Sequence, residues 1–355
     1  MTSILHLITT IKRGGAENQL LVLVKEQVRA GFEVHVAYLK DEVELLTDFH
    51  EAGAIVHQDL SGLKPFKQPF ALRKLILSED FIVHAHLPRA ELVGLFCPKR
   101  FKFITSRHNA EPFFPGAPRI FSNLLSRIVS FRALKIIAIS NAVKEYLLRQ
   151  GEIGNKGKIE VVHYGYTPHF NRSEIKQSSP GNVINIGTIS RLSSQKDIPT
   201  MLKAFEQYLK IIPVAKLSIL GSGPLENSLK ALALGLNQEL SISFLGRSAR
   251  IYEFLGNLDA FILTSRYEGF GMVLLEAMDA GVPIIASRNS SIPEVLGNDF
   301  PGLCQTGDAS DFKAKLEMLN DHEYRKNVMR IQEDRLAVFD SRTMARRIST
   351  IYFEQ

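Results

Sequence analysis

The chain has few of the devices that staple or anchor a fold. Only two cysteines occur in 355 residues, Cys97 and Cys304, far apart and in no metal-binding spacing. The start, MTSILHLITT, enters a strand pattern and lacks the basic start and cleavage site of a signal peptide. A reduced, cytoplasmic setting with free thiols is therefore expected. No apolar run of about 18 residues exists, so no spanning helix is expected. Internal repeats and low-complexity tracts are absent too. What remains, 45% hydrophobic residues and a mean hydropathy near zero, describes an ordinary globular chain, long enough for two domains.

Charge is unevenly placed. The net charge is +6, and residues 97–135 hold eight basic residues against one acid, Glu111. From Ile120 this segment is amphipathic: Ile120, Phe121, Leu124, Leu125, Ile128 and Val129 interleave with Arg119, Arg127 and Arg132. Two readings stand side by side. One is a core-facing helix with a solvated basic face; the other is a helix docking on an anionic membrane surface. Nucleic acid is not expected as a partner, because no recognition motif accompanies the charge.

Apolar strand patterns alternate with helical ones along the whole chain, which predicts α/β domains with open, mostly parallel sheets. Ligands of such sheets sit beyond the carboxyl ends of the strands. In the first half, ILHLIT (4–9) leads into a loop with Gly14 and Gly15 and then a helix. Those glycines either close a tight turn or open the loop to an anion. FIVHAHLPRA ends a strand at His86, and FKFITSRHNA ends one at His108 and Asn109. His84-Ala85-His86 is half a metal site with no carboxylate or cysteine cluster beside it, so no metal is expected. The polar stretch NRSEIKQSSPG (171–181) has linker composition.

The second half is more telling. A strand ending at Gly187 precedes a loop with Arg191 and Lys196 and a helix from about Asp197, two cations and a helix N-terminus suited to a diphosphate. Gly221-Ser222-Gly223-Pro224 and Gly246-Arg247 follow two further strands, and two helices are expected after PGLC (301–304). Between them lies TSRYEGFGMVLLEAMDAGVPIIAS (264–287), read as strand end, glycine turn, helix and strand. The N–H groups opening that helix form an anion site, and the glycines allow close approach. Glu276, set among Met, Val, Leu and Ala, needs hydroxyl, N–H or cation partners.

EGFGMVLLE, with Glu268 and Glu276 eight residues apart, resembles the signature of the family 4 glycosyltransferases. The resemblance covers most of the chain and is looser in the first half. It implies the GT-B fold: two Rossmann-like βαβ domains facing across a cleft. Residues 1–172 would bind acceptor and 173–335 the nucleotide sugar, with 336–355 returning to the first domain. It implies that Glu268 and His108 act at the donor sugar as catalytic residues. Glu276 would hold the ribose, and Arg191 and Lys196 the diphosphate. Gly269, Phe270, Gly271 and Met272 would form the phosphate turn, and Gly246 and Arg247 the base end. Gly14 and Gly15 would face acceptor and phosphates, Gly15 counting for the donor as well, with His86 and Asn109 on the acceptor side. Related enzymes have Lys-Gly where this chain has Lys196-Asp197; the acid is expected to cap the helix instead.

The implied reaction is retaining transfer from an NDP-sugar, UDP by default, to a hydroxyl of a glycan or lipid-linked acceptor. It needs no metal or other cofactor, and it would take place in the cytoplasm, peripherally at the inner face of the plasma membrane. Two rivals are a nucleotide-sugar epimerase of the same fold and a non-catalytic sugar- or lipid-binding protein.

Overall fold

The computed structural model describes residues 3–77, 80–170, 182–248 and 250–354; the linker-like stretch 171–181 lies outside them. The chain forms two compact units, one of residues 1–167 with 339–355 and the other of residues 168–338.

The first unit runs β1 (Ser3–Ile8), α1 (Gly15–Arg29), β2 (Val34–Tyr38), α2 (Leu46–Glu51), β3 (Ile55–His57), α3 (Gln68–Ile76), β4 (Phe81–His86) and α4 (Pro88–Gly94). It continues with β5 (Lys102–Arg107), α5 (Arg119–Arg132), β6 (Lys135–Ala138), α6 (Asn141–Arg149) and β7 (Ile159–Val161). Its seven strands are all parallel, in the order β3-β2-β1-β4-β5-β6-β7. β1, β2 and β4 are buried along their whole length, as strands covered on both faces must be.

The second unit contains β8 (Asn185–Ile189), α7 (Ile198–Leu209), β9 (Lys216–Leu220), α8 (Glu226–Gly235), β10 (Ile242–Gly246), α9 (Ile251–Gly256) and β11 (Ala260–Leu263). Then come α10 (Met272–Asp279), β12 (Ile284–Ser287), α11 (Ile292–Leu296), β13 (Leu303–Cys304), α12 (Ala309–Met318) and α13 (His322–Leu336). Its six parallel strands run β10-β9-β8-β11-β12-β13.

Three helices, not two, close the chain. A 3-10 turn at Ala337–Phe339 ends α13, and Asp340 starts α14 (Ser341–Phe353) by accepting the Thr343 N–H. α14 belongs to the first unit, where Met344, Ile348, Ile351 and Tyr352 pack against Ile4, Leu23, Ile82, Ile104 and Ile137. The entry to α14 is also paired with the end of the opening half. Tyr166 N–H donates to the Phe339 carbonyl at 2.6 Å, and Ser341 N–H donates to the Tyr166 carbonyl at 3.2 Å.

Candidate active site

In each sheet the strand order reverses once, between β1 and β4 and between β8 and β11. These are the points where successive loops diverge and leave a crevice past the strand ends.

At the β8/β11 point of the second unit two loops are fastened together. Thr264 Oγ1 donates to the carbonyls of Lys196 and Asp197, both at 3.0 Å, and Arg266 N–H donates to the Gln195 carbonyl at 2.8 Å. That fastening brings Lys196 Nζ to 2.6 Å from Glu268 Oε1, which also accepts the Ser265 hydroxyl at 2.6 Å. Arg191 stands exposed, and among the described residues no side chain pairs with its guanidinium. Gly271, at φ 90°, takes a left-handed conformation that suits glycine and turns the chain into α10. Phe270 is buried and pins the turn, so the first N–H groups of α10 and its dipole face the strand ends. Glu276 lies in the second turn of α10. Burial pushes its carboxyl up to about 7, and no described side chain bonds to it. A half-buried carboxylate in that condition lacks donors.

Asp197 stands at the start of α7 but does not cap it. At φ 46° it holds the left-handed conformation itself, and its carboxylate turns to Arg266, 3.2 Å away, and to the Thr200 hydroxyl at 3.0 Å. A left-handed φ is where glycine costs least, which gives a physical reason for Lys-Gly in related sequences. At the β9 and β10 ends, Gly221 N–H donates to the Gly246 carbonyl at 2.6 Å, and Arg247 Nε donates to Ser222 Oγ at 2.8 Å. A Cβ on Gly221 would lie 2.0 Å from the Ser190 carbonyl oxygen. The strand ends are held backbone to backbone there.

At the β1/β4 point of the first unit, Gly14 and Gly15 open α1. Neither has a positive φ, so closing a tight turn does not require them. A Cβ on Gly14 would meet the Glu17 carboxylate at 2.4 Å, whereas nothing lies within 4 Å of one on Gly15. Glu17 is buried and accepts the Thr10 hydroxyl at 2.8 Å. At the end of β4, Leu87 takes φ 72° before Pro88 starts α4, an outlier of the kind that collects at functional sites. His108 and the exposed Asn109 line a pocket with Leu87, Pro88, Arg107 and Phe113.

Two groups here carry little signal in the sequence. Arg107 is buried between Glu91, at 2.8 Å, and Glu152, at 3.2 Å, with the Phe113 ring 4.5 Å away. One cation serves two carboxylates, and burial pushes Glu91 up to about 7 against the pull of Arg107. This anchors the loop carrying Asn109. The second group is a buried chain of imidazoles on one sheet face. His6 pairs in register with His84 across β1 and β4, and His86 lies two residues further along. Gln27 Oε1 lies 2.7 Å from His6 Nε2, and His6 Nδ1 lies 3.0 Å from His86 Nε2. His86 Nδ1 lies 3.1 Å from His108 Nε2, and His108 Nδ1 lies 2.5 Å from the Tyr164 hydroxyl. Burial holds all four rings neutral, with His6 lowered to about 4 and His108 to about 3. His6, His84 and His86 put nitrogens within 4.8 Å of one another, an approach to metal-ligand geometry. Each of those nitrogens already has a hydrogen-bond partner, so the trio forms a hydrogen-bonded network.

The structure thus gathers the site residues in two places. Arg191, Lys196, Glu268, Phe270, Gly271, Met272 and Glu276 surround the β8/β11 point, with Gly246 and Arg247 at the neighbouring strand ends. Gly14, Gly15, His86, His108 and Asn109 surround the β1/β4 point.

Comparison with known proteins follows the same division. Residues 13–170 match the model of Glycosyltransferase Family 4, and residues 170–334 match that of Glycosyl transferases group 1. The capsular polysaccharide biosynthesis glycosyltransferase CapM of Staphylococcus aureus is 24% identical over 92% of this chain and 90% of its own. The N-acetyl-alpha-D-glucosaminyl L-malate synthase of Bacillus anthracis is 33% identical, over 47% of this chain and 44% of its own length. Among solved structures, Anabaena HepE in complex with UDP-glucose superposes with a TM-score of 0.80 at 21% identity, covering 99% of both chains.

Proposed function

Since the chain belongs to the family 4 glycosyltransferases and has their GT-B fold, we propose that it transfers a sugar, with retention, from a UDP-sugar to a hydroxyl of a glycan or lipid-linked acceptor. The observation that carries this reading is the Lys196–Glu268 pair beside the Gly271 turn. Breaking the C1–O bond builds negative charge on the leaving diphosphate and positive charge on the ring. Arg191, Lys196 and the opening N–H groups of α10 meet the first, and Glu268 lies beside the second. Glu276 takes the ribose hydroxyls, which supply the donors it lacks. His108 offers the sugar a neutral ring whose two nitrogens are engaged from within, so it orients rather than takes protons. No second carboxylate is placed as a nucleophile, so the leaving phosphate takes the acceptor's proton on the same face. UDP is favoured because the Anabaena structures hold UDP and UDP-glucose.

The acceptor reading draws on α5. Its inward side buries Ser122, Ser126 and Ser130 together with Val129, which thus leaves the outer stripe, while Ile120, Phe121, Leu124, Ile128 and Phe131 face outward. The basic segment divides in two. Lys102, Arg107, Arg132 and Lys135 are bound to internal carbonyls or acids, while Lys99, Arg100, Arg119 and Arg127 are exposed. An apolar face flanked by exposed cations suits an anionic lipid surface and favours a lipid-linked acceptor.

The test is turnover of NDP-sugars with and without acceptor lipids, in wild type and Glu268→Ala. Release of UDP that depends on acceptor, lost in the variant while its melting temperature holds, is expected. Turnover of the donor without any acceptor would identify an epimerase instead.

A further inference from the structure

We propose that Gln27, on α1, sets the tautomer of His108 through His6 and His86, and with it the direction in which the Tyr164 hydroxyl points its proton. The proposal rests on the placement of His108 beside the donor sugar made above.

A neutral imidazole has one N–H and one bare nitrogen. In a chain of them, each donor requires the next group to accept. Gln27 presents Oε1 to His6 Nε2, so that nitrogen carries the proton and Nδ1 accepts. His86 Nε2 must then donate to His6 Nδ1, and His108 Nε2 to His86 Nδ1. The last acceptor, His108 Nδ1, takes the proton of Tyr164. The carboxamide's other end leads along a second branch. Gln27 Nε2 donates to the Tyr352 hydroxyl at 3.3 Å, Tyr352 donates to His84 Nδ1 at 2.6 Å, and His84 Nε2 donates to Ser106 Oγ at 2.8 Å. With the carboxamide so placed, the first branch closes only when His6, His86 and His108 all carry their protons on Nε2. Turning the carboxamide over reverses both branches together. Any mixed arrangement among His6, His86 and His108 sets two N–H groups or two lone pairs face to face in a core where all these residues are buried. The network therefore has two proton orders, with Gln27 at their node.

The consequence lies at the far end. In the order just traced Tyr164 gives its proton to His108 and can only accept from its other neighbours; in the reverse order its proton is theirs to receive. Glu17 is near enough to Tyr164 to make its proton harder to remove, adding to the larger effect of burial. A glutamine in the middle of α1 thus decides what the glycine loop finds at Tyr164.

The experiment records long-range proton–nitrogen correlations on protein carrying nitrogen-15 histidine, without donor, beside steady-state kinetics. In wild type, His6, His86 and His108 should all be protonated on Nε2; a mixed set among them overturns the proposal with no variant needed. Gln27→Met should let both His108 tautomers appear and lower kcat about tenfold, the size of one lost hydrogen bond, with the donor KM within about twofold. Gln27→Glu keeps an acceptor at the same reach and should restore both the single tautomer and the rate. A His108 signal that stays on Nε2 in Gln27→Met, with kcat unaltered, refutes it. Because the spectra need no substrate, absence of UDP-sugar turnover in wild type would count against the transferase reading alone.

Discussion

Four neutral imidazoles in one core make the protein sensitive to acid. An unfolded histidine binds its proton near pH 6.5, while folded His6 resists until about pH 4 and His108 until about pH 3. Between those limits the unfolded chain holds more protons, so stability falls as pH drops below about 6.5. His6 alone accounts for about 3 kcal/mol of that loss once pH reaches 4. Glu91 and Glu276 act in the opposite sense: raised to about 7, they keep protons in the folded state and weaken it as pH rises from 4.5 to 7. Four groups outweigh two. Melting temperature should therefore fall between pH 6.5 and 4, and His6→Asn should flatten that slope in thermal scans. Little of this is legible in the sequence. His6 is one histidine in an apolar strand and Gln27 one of several polar residues on α1; the β1–β4 register sets His6 beside His84 and His86, and the packing of α1 on the sheet brings Gln27 to His6. Glu268 and Glu276, in contrast, stand out because a glycine turn and helix surround them.

Among the elements, α5 shows what periodicity can and cannot tell. The apolar stripe at Ile120, Phe121, Leu124 and Ile128 is plain in the sequence, but a stripe has no sign. Inside, Arg107 and Glu152 already claim Ser126, at 2.9 Å each, so the side of the helix that faces the sheet carries three serines and only Val129 of the apolar residues. The stripe is left outside, with Ile120 86% and Phe131 87% exposed. Co-sedimentation with vesicles containing anionic lipid should detect binding that weakens with salt. Phe131→Glu should reduce the affinity about tenfold, as loss of one buried aromatic implies; undiminished binding would remove α5 from the interface. The tips of β8, β9 and β10 make a second case. Gly221 sits at φ 140°, with the Ser190 oxygen where a Cβ would go. Gly221→Ala should cost about 3 kcal/mol and weaken UDP binding, read by denaturant titration and calorimetry. The sequence displays such glycines without saying what crowds them.

At the scale of the whole molecule, the alternation of strand and helix made both parallel sheets legible, because runs buried on two faces look alike wherever they occur. The ownership of α14 was less so, since its apolar residues fit any sheet. It supplies Met344, Ile348, Ile351 and Tyr352 to the first unit's core. At about 2 kcal/mol each, their loss approaches the whole stability of a domain. Truncation after Val338 should leave residues 1–167 open to protease while 168–338 stays protected. The backbone bonds joining Tyr166 to Phe339 and Ser341 have a further consequence. The chain departs for the second unit and comes home through the same doorway, one segment beside the other. That half is in effect a cassette plugged in by two adjacent leads. Exchanging it for the equivalent half of a related enzyme requires only two neighbouring splices and leaves the polar network under α1 and α14 as it is.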